Sequence, residues 1–184
     1  MRDASRVPIV FLLGPSGSGK TKLGEWLAAD LDILHLEIDR WPNGDGIDLE
    51  GLRREWDAFL ESGQPAQLAA AVQDRVMQAG KKGAVLTFPS VLVLDPDLIR
   101  AAERQGIRSL VLYATGAECL RAFLDRERAT GRGLGQDHWI QNNAGPYIAY
   151  SREEFAPHRL AVFASGERRK RAELVAEVKG RLVG

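Results

Sequence analysis

The chain has 184 residues, 45% of them hydrophobic and 27% charged, which suits one compact domain with a full core. Its 25 basic and 25 acidic residues cancel to a formal net charge of zero. No global field would gather nucleic acid or hold a membrane, so any charged ligand must be met by a local cluster.

The first element is the apolar run "VPIVFLL" (7–13), short and rich in Val, Ile and Leu as a buried strand is. It is too short for a spanning segment, and no small-residue cleavage site follows, so a cytoplasmic protein is expected. The run stops at "GPSGSGKT" (14–21), which matches G-x-x-x-x-G-K-[ST] in full between a strand and a helical pattern. Glycines let such a loop wrap until consecutive N–H groups face phosphate oxygens, and the following helix adds its positive end. Gly14, Ser16, Gly17, Ser18, Gly19, Lys20 and Thr21 are the expected nucleotide-binding set. Lys20 is assigned to the β- and γ-phosphates and the Thr21 hydroxyl to Mg²⁺.

A helix is expected over 20–29, then a second strand "ILHLEI" (33–38) ending at Asp39. An irregular stretch "DRWPNGDGID" (39–48) follows, then helices over 49–60 and 65–79. The third strand, "GAVLTF" (83–88), ends on Thr87, Pro89 and Ser90 rather than on an acidic pair. Asp95-Pro96 supplies an N-cap and a first-turn proline for a helix over 96–105, and Gly106 stops it. After the fourth strand, "IRSLVLYA" (107–114), a helix over 117–129 carries Cys119, which reads as a small buried thiol. As the single cysteine it excludes an internal disulfide and fits a reducing compartment. A second irregular stretch (130–146), a helix over 146–155, a strand "RLAVFAS" (159–165) and a helix over 167–182 complete the chain. Strand–helix alternation implies a parallel sheet covered on both faces, with ligands beyond the carboxyl ends of the strands.

No Asn-Lys-x-Asp motif is present to read guanine. The loop, the acid after the second strand and the run "RAFLDRERATGRG" resemble the small-metabolite and nucleoside-monophosphate kinases, especially the shikimate- and gluconate-kinase branch. The resemblance implies a three-layer P-loop fold over residues 1–184, with a five-stranded parallel sheet in the order 2-3-1-4-5. It also implies an acceptor region at about 39–80, a mobile lid at about 126–145, and ATP with Mg²⁺ as cofactors. Asp39 would then orient the acceptor hydroxyl and hold the metal's water, with Glu37 on the same side or serving structure. Arg126, Arg128 and Arg132 would clamp the transferring phosphoryl group, the last two being the stronger expectation. Arg121 reads as a solvated helix position.

The loop before the last helix would border adenine, through Ser165, Gly166 and Arg168. The basic run 168–171 is thin evidence for nucleic acid. Trp41, Arg53, Thr87 and Ser90 are the expected acceptor contacts, while Trp56 sits at core spacing with Leu52, Phe59 and Leu60. The chain departs from shikimate kinases in having "TFPSV" after the third strand and Asn142-Asn143 before "GPY". It also lacks the His-Phe-x-x-x-x-Leu-Leu run of gluconate kinases. The expectation is a kinase, monomeric or homodimeric, acting on a different small hydroxyl compound, with no nucleic-acid or membrane partner. A nucleoside-monophosphate kinase and a non-catalytic ATP-responsive module stay open as alternatives.

Overall fold

A computed structural model describes residues 7–38 and 49–183. The expectations placed on Asp39 and Trp41 lie outside the described residues. Five strands form one parallel sheet: β1 (Ile9–Leu13), β2 (Leu34–Glu37), β3 (Ala84–Thr87), β4 (Ile107–Tyr113) and β5 (Arg159–Ala161). Their order is β2-β3-β1-β4-β5, as the resemblance implied. The central strand β1 is buried along its whole length, the burial its unbroken apolar run requires.

Side-chain alternation splits the core into two layers. Ile9, Phe11 and Leu13 face α2 (Leu49–Ser62), α3 (Ala66–Gln78) and α4 (Pro96–Arg104). Trp56 lies there, 4% exposed, stacked on Phe88 at 4.1 Å between centroids and edge-on to Phe11 at 5.6 Å. It is a core residue, as its spacing indicated. Val10 and Leu12 face α1 (Lys20–Leu31), α5 (Gly116–Thr130) and α7 (Arg171–Val183). Among the described residues, no helix is long and apolar enough to cross a membrane.

Two expectations about secondary structure are corrected. The stretch 130–146 is not irregular throughout, because α6 runs from Gln136 to Tyr150 with Pro146 inside it. Trp139, Asn143 and Tyr150, spaced by four and seven, are its buried residues. Trp139 packs in one core layer and Tyr150 in the other, so α6 crosses between the two layers and tertiary contacts outweigh the local breakers. The basic run does not open the last helix either. Ser165 (φ 52°) and Gly166 (φ 80°) turn a small hairpin, β6 (Phe163–Ala164) against β7 (Glu167–Arg168), and α7 begins only at Arg171.

Candidate functional site

The loop 14–19 joins β1 to α1 at the carboxyl end of the sheet. Gly14, Gly17 and Gly19 have φ of 133°, 89° and 92°, backbone that L-residues rarely adopt. Space is restrictive at all three, a Cβ at Gly14 coming within 2.7 Å of the Leu112 carbonyl oxygen. A Cβ at Gly17 would come within 2.0 Å of the Cys119 carbonyl oxygen, and one at Gly19 within 2.1 Å of Arg168 Nη1. The motif glycines therefore let α5 and the hairpin close in on the loop.

Lys20 folds over the loop, its Nζ donating to the carbonyls of Gly14 at 2.7 Å and Pro15 at 3.3 Å. Beside it opens a cleft of about 450 Å³, with Ser16, Gly17, Gly19, Lys20 and Thr21 forming its floor. Arg126, Arg132 and Arg168 stand in its walls, and Thr87, Phe88 and Ser90 close it on the β3 side. Three arginines, Lys20 and a turn of backbone N–H groups suit a polyphosphate. Thr87 is buried, with Oγ1 3.2 Å from His35 Nε2. His35 packs against Gly24 of α1, so Glu37, two residues on and buried, projects from the same sheet face toward that helix.

Each cation is held differently. Arg168 donates to the carbonyls of Ser18 (3.2 Å) and Gly17 (3.0 Å), with its guanidinium 4.8 Å above the Phe163 ring. Burial pulls its pKa below the ordinary value, and among the described residues no carboxylate lies within ion-pair reach. Arg126 donates from Nη2 to Ser16 Oγ (3.3 Å) and to Glu127 Oε1 (2.8 Å). Arg132 reaches the cleft from the turn after α5, its Nε 3.9 Å from Glu127 Oε2. Arg128, expected beside them, points elsewhere: it pairs with Asp125 at 3.1 Å, is 76% exposed and does not line the cleft. Arg53 is also exposed and outside the cleft lining, with Nη1 3.5 Å from the Ile38 carbonyl. Burial pushes the Cys119 thiol up to about 11, so it stays protonated at neutral pH.

Sequence reasoning met Asn143 only as a departure from the shikimate-kinase pattern and Trp139 only as a residue of the lid region, and did not foresee that both grip Ser16 from α6. Asn143 Oδ1 accepts from the Ser16 amide at 2.8 Å, and Trp139 Nε1 donates to the Ser16 carbonyl at 2.9 Å. Both side chains are buried, at 2% and 5% exposure. Their spacing of four was the available signal, hidden by the polar Asn and the nearby "AGP". Glu127 was missed too; it is an acid in an arginine-rich run, 1% exposed.

Among the cleft-lining residues, the Thr21 hydroxyl is a donor of the kind that fits a Mg²⁺ carried by a polyphosphate. Among the described residues, no group of three His, Cys, Asp or Glu could hold an ion.

The fold is that of the phosphate-loop kinases, and three solved structures show it. A gluconokinase from Sinorhizobium meliloti 1021 matches with a TM-score of 0.53 at 20% identity, over 97% of this chain and 93% of that one. Shikimate kinase from Bacteroides thetaiotaomicron matches with a TM-score of 0.53 at 17% identity, over 97% and 99%. Shikimate kinase from Acinetobacter baumannii, solved in complex with shikimate, matches with a TM-score of 0.51 at 16% identity, over 97% and 93%. No family model matches the chain, and no curated protein does.

Proposed function

We propose that this protein transfers the γ-phosphoryl group of ATP to a hydroxyl of a small metabolite, sugar, nucleoside or antibiotic. The observation that carries this reading is the gathering of Lys20, Arg126, Arg132 and Arg168 around one phosphate-loop cleft. In such a transfer the bond from the γ-phosphorus to the β–γ bridging oxygen breaks and a bond to the acceptor oxygen forms. The hydroxyl proton leaves late, and ADP departs. Charge spreads over the equatorial oxygens, so cations fixed beside the loop lower the barrier.

In this reading Lys20 spans the β- and γ-phosphates, Thr21 supplies a hydroxyl to Mg²⁺, and Arg168 meets the nucleotide near Gly19. Mg²⁺, when bound, neutralises phosphate charge and fixes its geometry. Asp39, the next residue after Ile38, keeps its sequence-based role of orienting the acceptor hydroxyl and receiving its proton. Glu37 projects toward the start of α1 and would hold the metal's water shell. Thr87 and Ser90 line the cleft and would contact the acceptor in this reading, and the roles of Trp41 and Arg53 rest on sequence alone. Arg126 and Arg132, which line the cleft, would meet the γ-phosphate in this reading, rather than Arg128. The formal net charge of zero supports the absence of nucleic-acid or membrane partners, and a cytoplasmic monomer or homodimer is the sequence-based reading that goes with it.

The test is ATP turnover against a panel of sugars, nucleosides, nucleotides and aminoglycoside-like compounds, for wild type, Lys20→Met and Asp39→Asn. At least one acceptor should stimulate turnover, and each variant should lose about 100-fold or more. ATP binding with no stimulation by any acceptor would instead indicate a nucleotide-responsive binding module. Undiminished turnover in Asp39→Asn would remove that residue from the mechanism.

A further inference from the structure

The carboxylate of Glu127 lies beneath two of the cleft's cations and takes no part in the chemistry above. At 1% exposure it is deeper than any other acid among the described residues. A carboxylate so far from water persists only when its oxygens find donors. Oε1 has them: Arg126 Nε at 3.1 Å and Nη2 at 2.8 Å. Oε2 has none within hydrogen-bond distance and is buried. The nearest ion-pair partner facing it is Arg132, with Nε at 3.9 Å.

The backbone brings that second arginine back. Gly131, at φ 67°, ends α5 in a Schellman turn. The Gly131 N–H donates to the Arg128 carbonyl and the Arg132 N–H to the Glu127 carbonyl, at 3.3 and 3.2 Å. Arg132 is therefore tied to Glu127 by its main chain and faces the same residue's open oxygen with its side chain. The other acid of this helix end, Asp125, is 59% exposed and pairs with Arg128, which does not line the cleft.

We infer that Glu127 is a positioning residue that presents Arg126 and Arg132 together to the γ-phosphate of the nucleotide, closing Oε2 onto Arg132 as the cleft fills. The inference rests on the kinase reading above and adds to it an anionic support for the two arginines. A purely structural carboxylate would affect all nucleotides alike. A support for the γ-phosphate arginines affects the triphosphate above the diphosphate, and only while Arg132 is there to be held.

The experiment is calorimetric titration with Mg-ATP and Mg-ADP, which needs no acceptor. The proteins are wild type, Glu127→Gln, Arg132→Ala and the double variant, with thermal unfolding recorded for each. Glutamine keeps the volume and an acceptor for Arg126 but removes the charge. The ratio of ATP to ADP affinity should fall about tenfold in Glu127→Gln, the scale of one charge-assisted hydrogen bond. The double variant should lose no more than Arg132→Ala alone. An unchanged ratio in Glu127→Gln, or losses that multiply in the double variant, would overturn the inference. So would a parallel loss of ADP affinity and unfolding temperature, which would mark Glu127 as structural. Wild type binding neither nucleotide would overturn the kinase reading itself, and this inference with it.

Discussion

Two fifteen-residue helices, α5 and α6, reach the same loop residue by different means. From α5 comes Arg126, a half-exposed guanidinium on the Ser16 hydroxyl, with Arg132 following at 60% exposure. From α6 come Trp139 and Asn143, neutral and buried, on the Ser16 carbonyl and amide. Half-exposed cations change partners at smaller cost, since water reaches the guanidiniums even where the carboxylate they share, Glu127, is buried. Buried neutral bonds do not, because breaking one strands a donor or acceptor away from water. The loop thus has a fixed wall on one side and exchangeable charge on the other.

That contrast can be broken from either side. The largest effect is expected just past the end of α5: Arg132→Ala should lower turnover about 100- to 1000-fold while changing unfolding free energy by less than about 1 kcal/mol. Steady-state kinetics beside urea unfolding would check it, and a stability loss as large as the kinetic one would erase the distinction. Next comes α6, where Asn143→Leu leaves the Ser16 amide without its acceptor. Unfolding free energy should drop by roughly 1–3 kcal/mol, with a smaller relative fall in turnover. A stable Asn143→Leu protein with abolished turnover would reverse the roles of the two helices.

The smallest effect sharpens the comparison at the start of α5, where Thr115 and Glu118 form a capping box. Hydrogen bonds from the Thr115 amide and hydroxyl hold the Glu118 carboxyl below its ordinary pKa. A depressed folded-state pKa contributes stability that is fully present above the ordinary glutamate range. That contribution disappears as pH falls through the lower folded value. Thr115→Ala should cost about 1 kcal/mol at neutral pH and flatten the acid limb of the stability profile. α6 has no side-chain cap of this kind.

The sheet and the phosphate loop were legible because their signals are local. Short Val- and Leu-rich runs can only be buried strands in this alternation, and the motif glycines state where backbone must turn or be approached closely. Trp56 was placed by helical spacing, and Cys119 by its helical setting and the usual burial of a small thiol. α6 was not legible, since its buried face contains Asn143 and its interior Pro146, and only long-range partners on Ser16 and both core layers make it a helix. Arg168 was assigned to a helix end because four basic residues in a row obscured the Ser165-Gly166 turn. Arg128 and Arg132 were the stronger expectation at the phosphate, yet it is Arg126 that lines the cleft beside Arg132, while Arg128 turns to Asp125. Composition does not carry that information; the Schellman turn at Gly131 does.

The hairpin that bears Arg168 has a further implication. With Phe163 paired to Arg168 and Ala164 to Glu167, only Ser165 and Gly166 lie between the strands, both at positive φ. The reach of this cation into the cleft is therefore metered by loop length. A one-residue insertion between Ala164 and Glu167 would send the guanidinium to the opposite side of the ribbon. The position would keep its charge in an alignment and lose it from the cleft. Related chains that differ by a single residue at this turn would differ in nucleotide affinity while preserving every letter of the phosphate-loop motif.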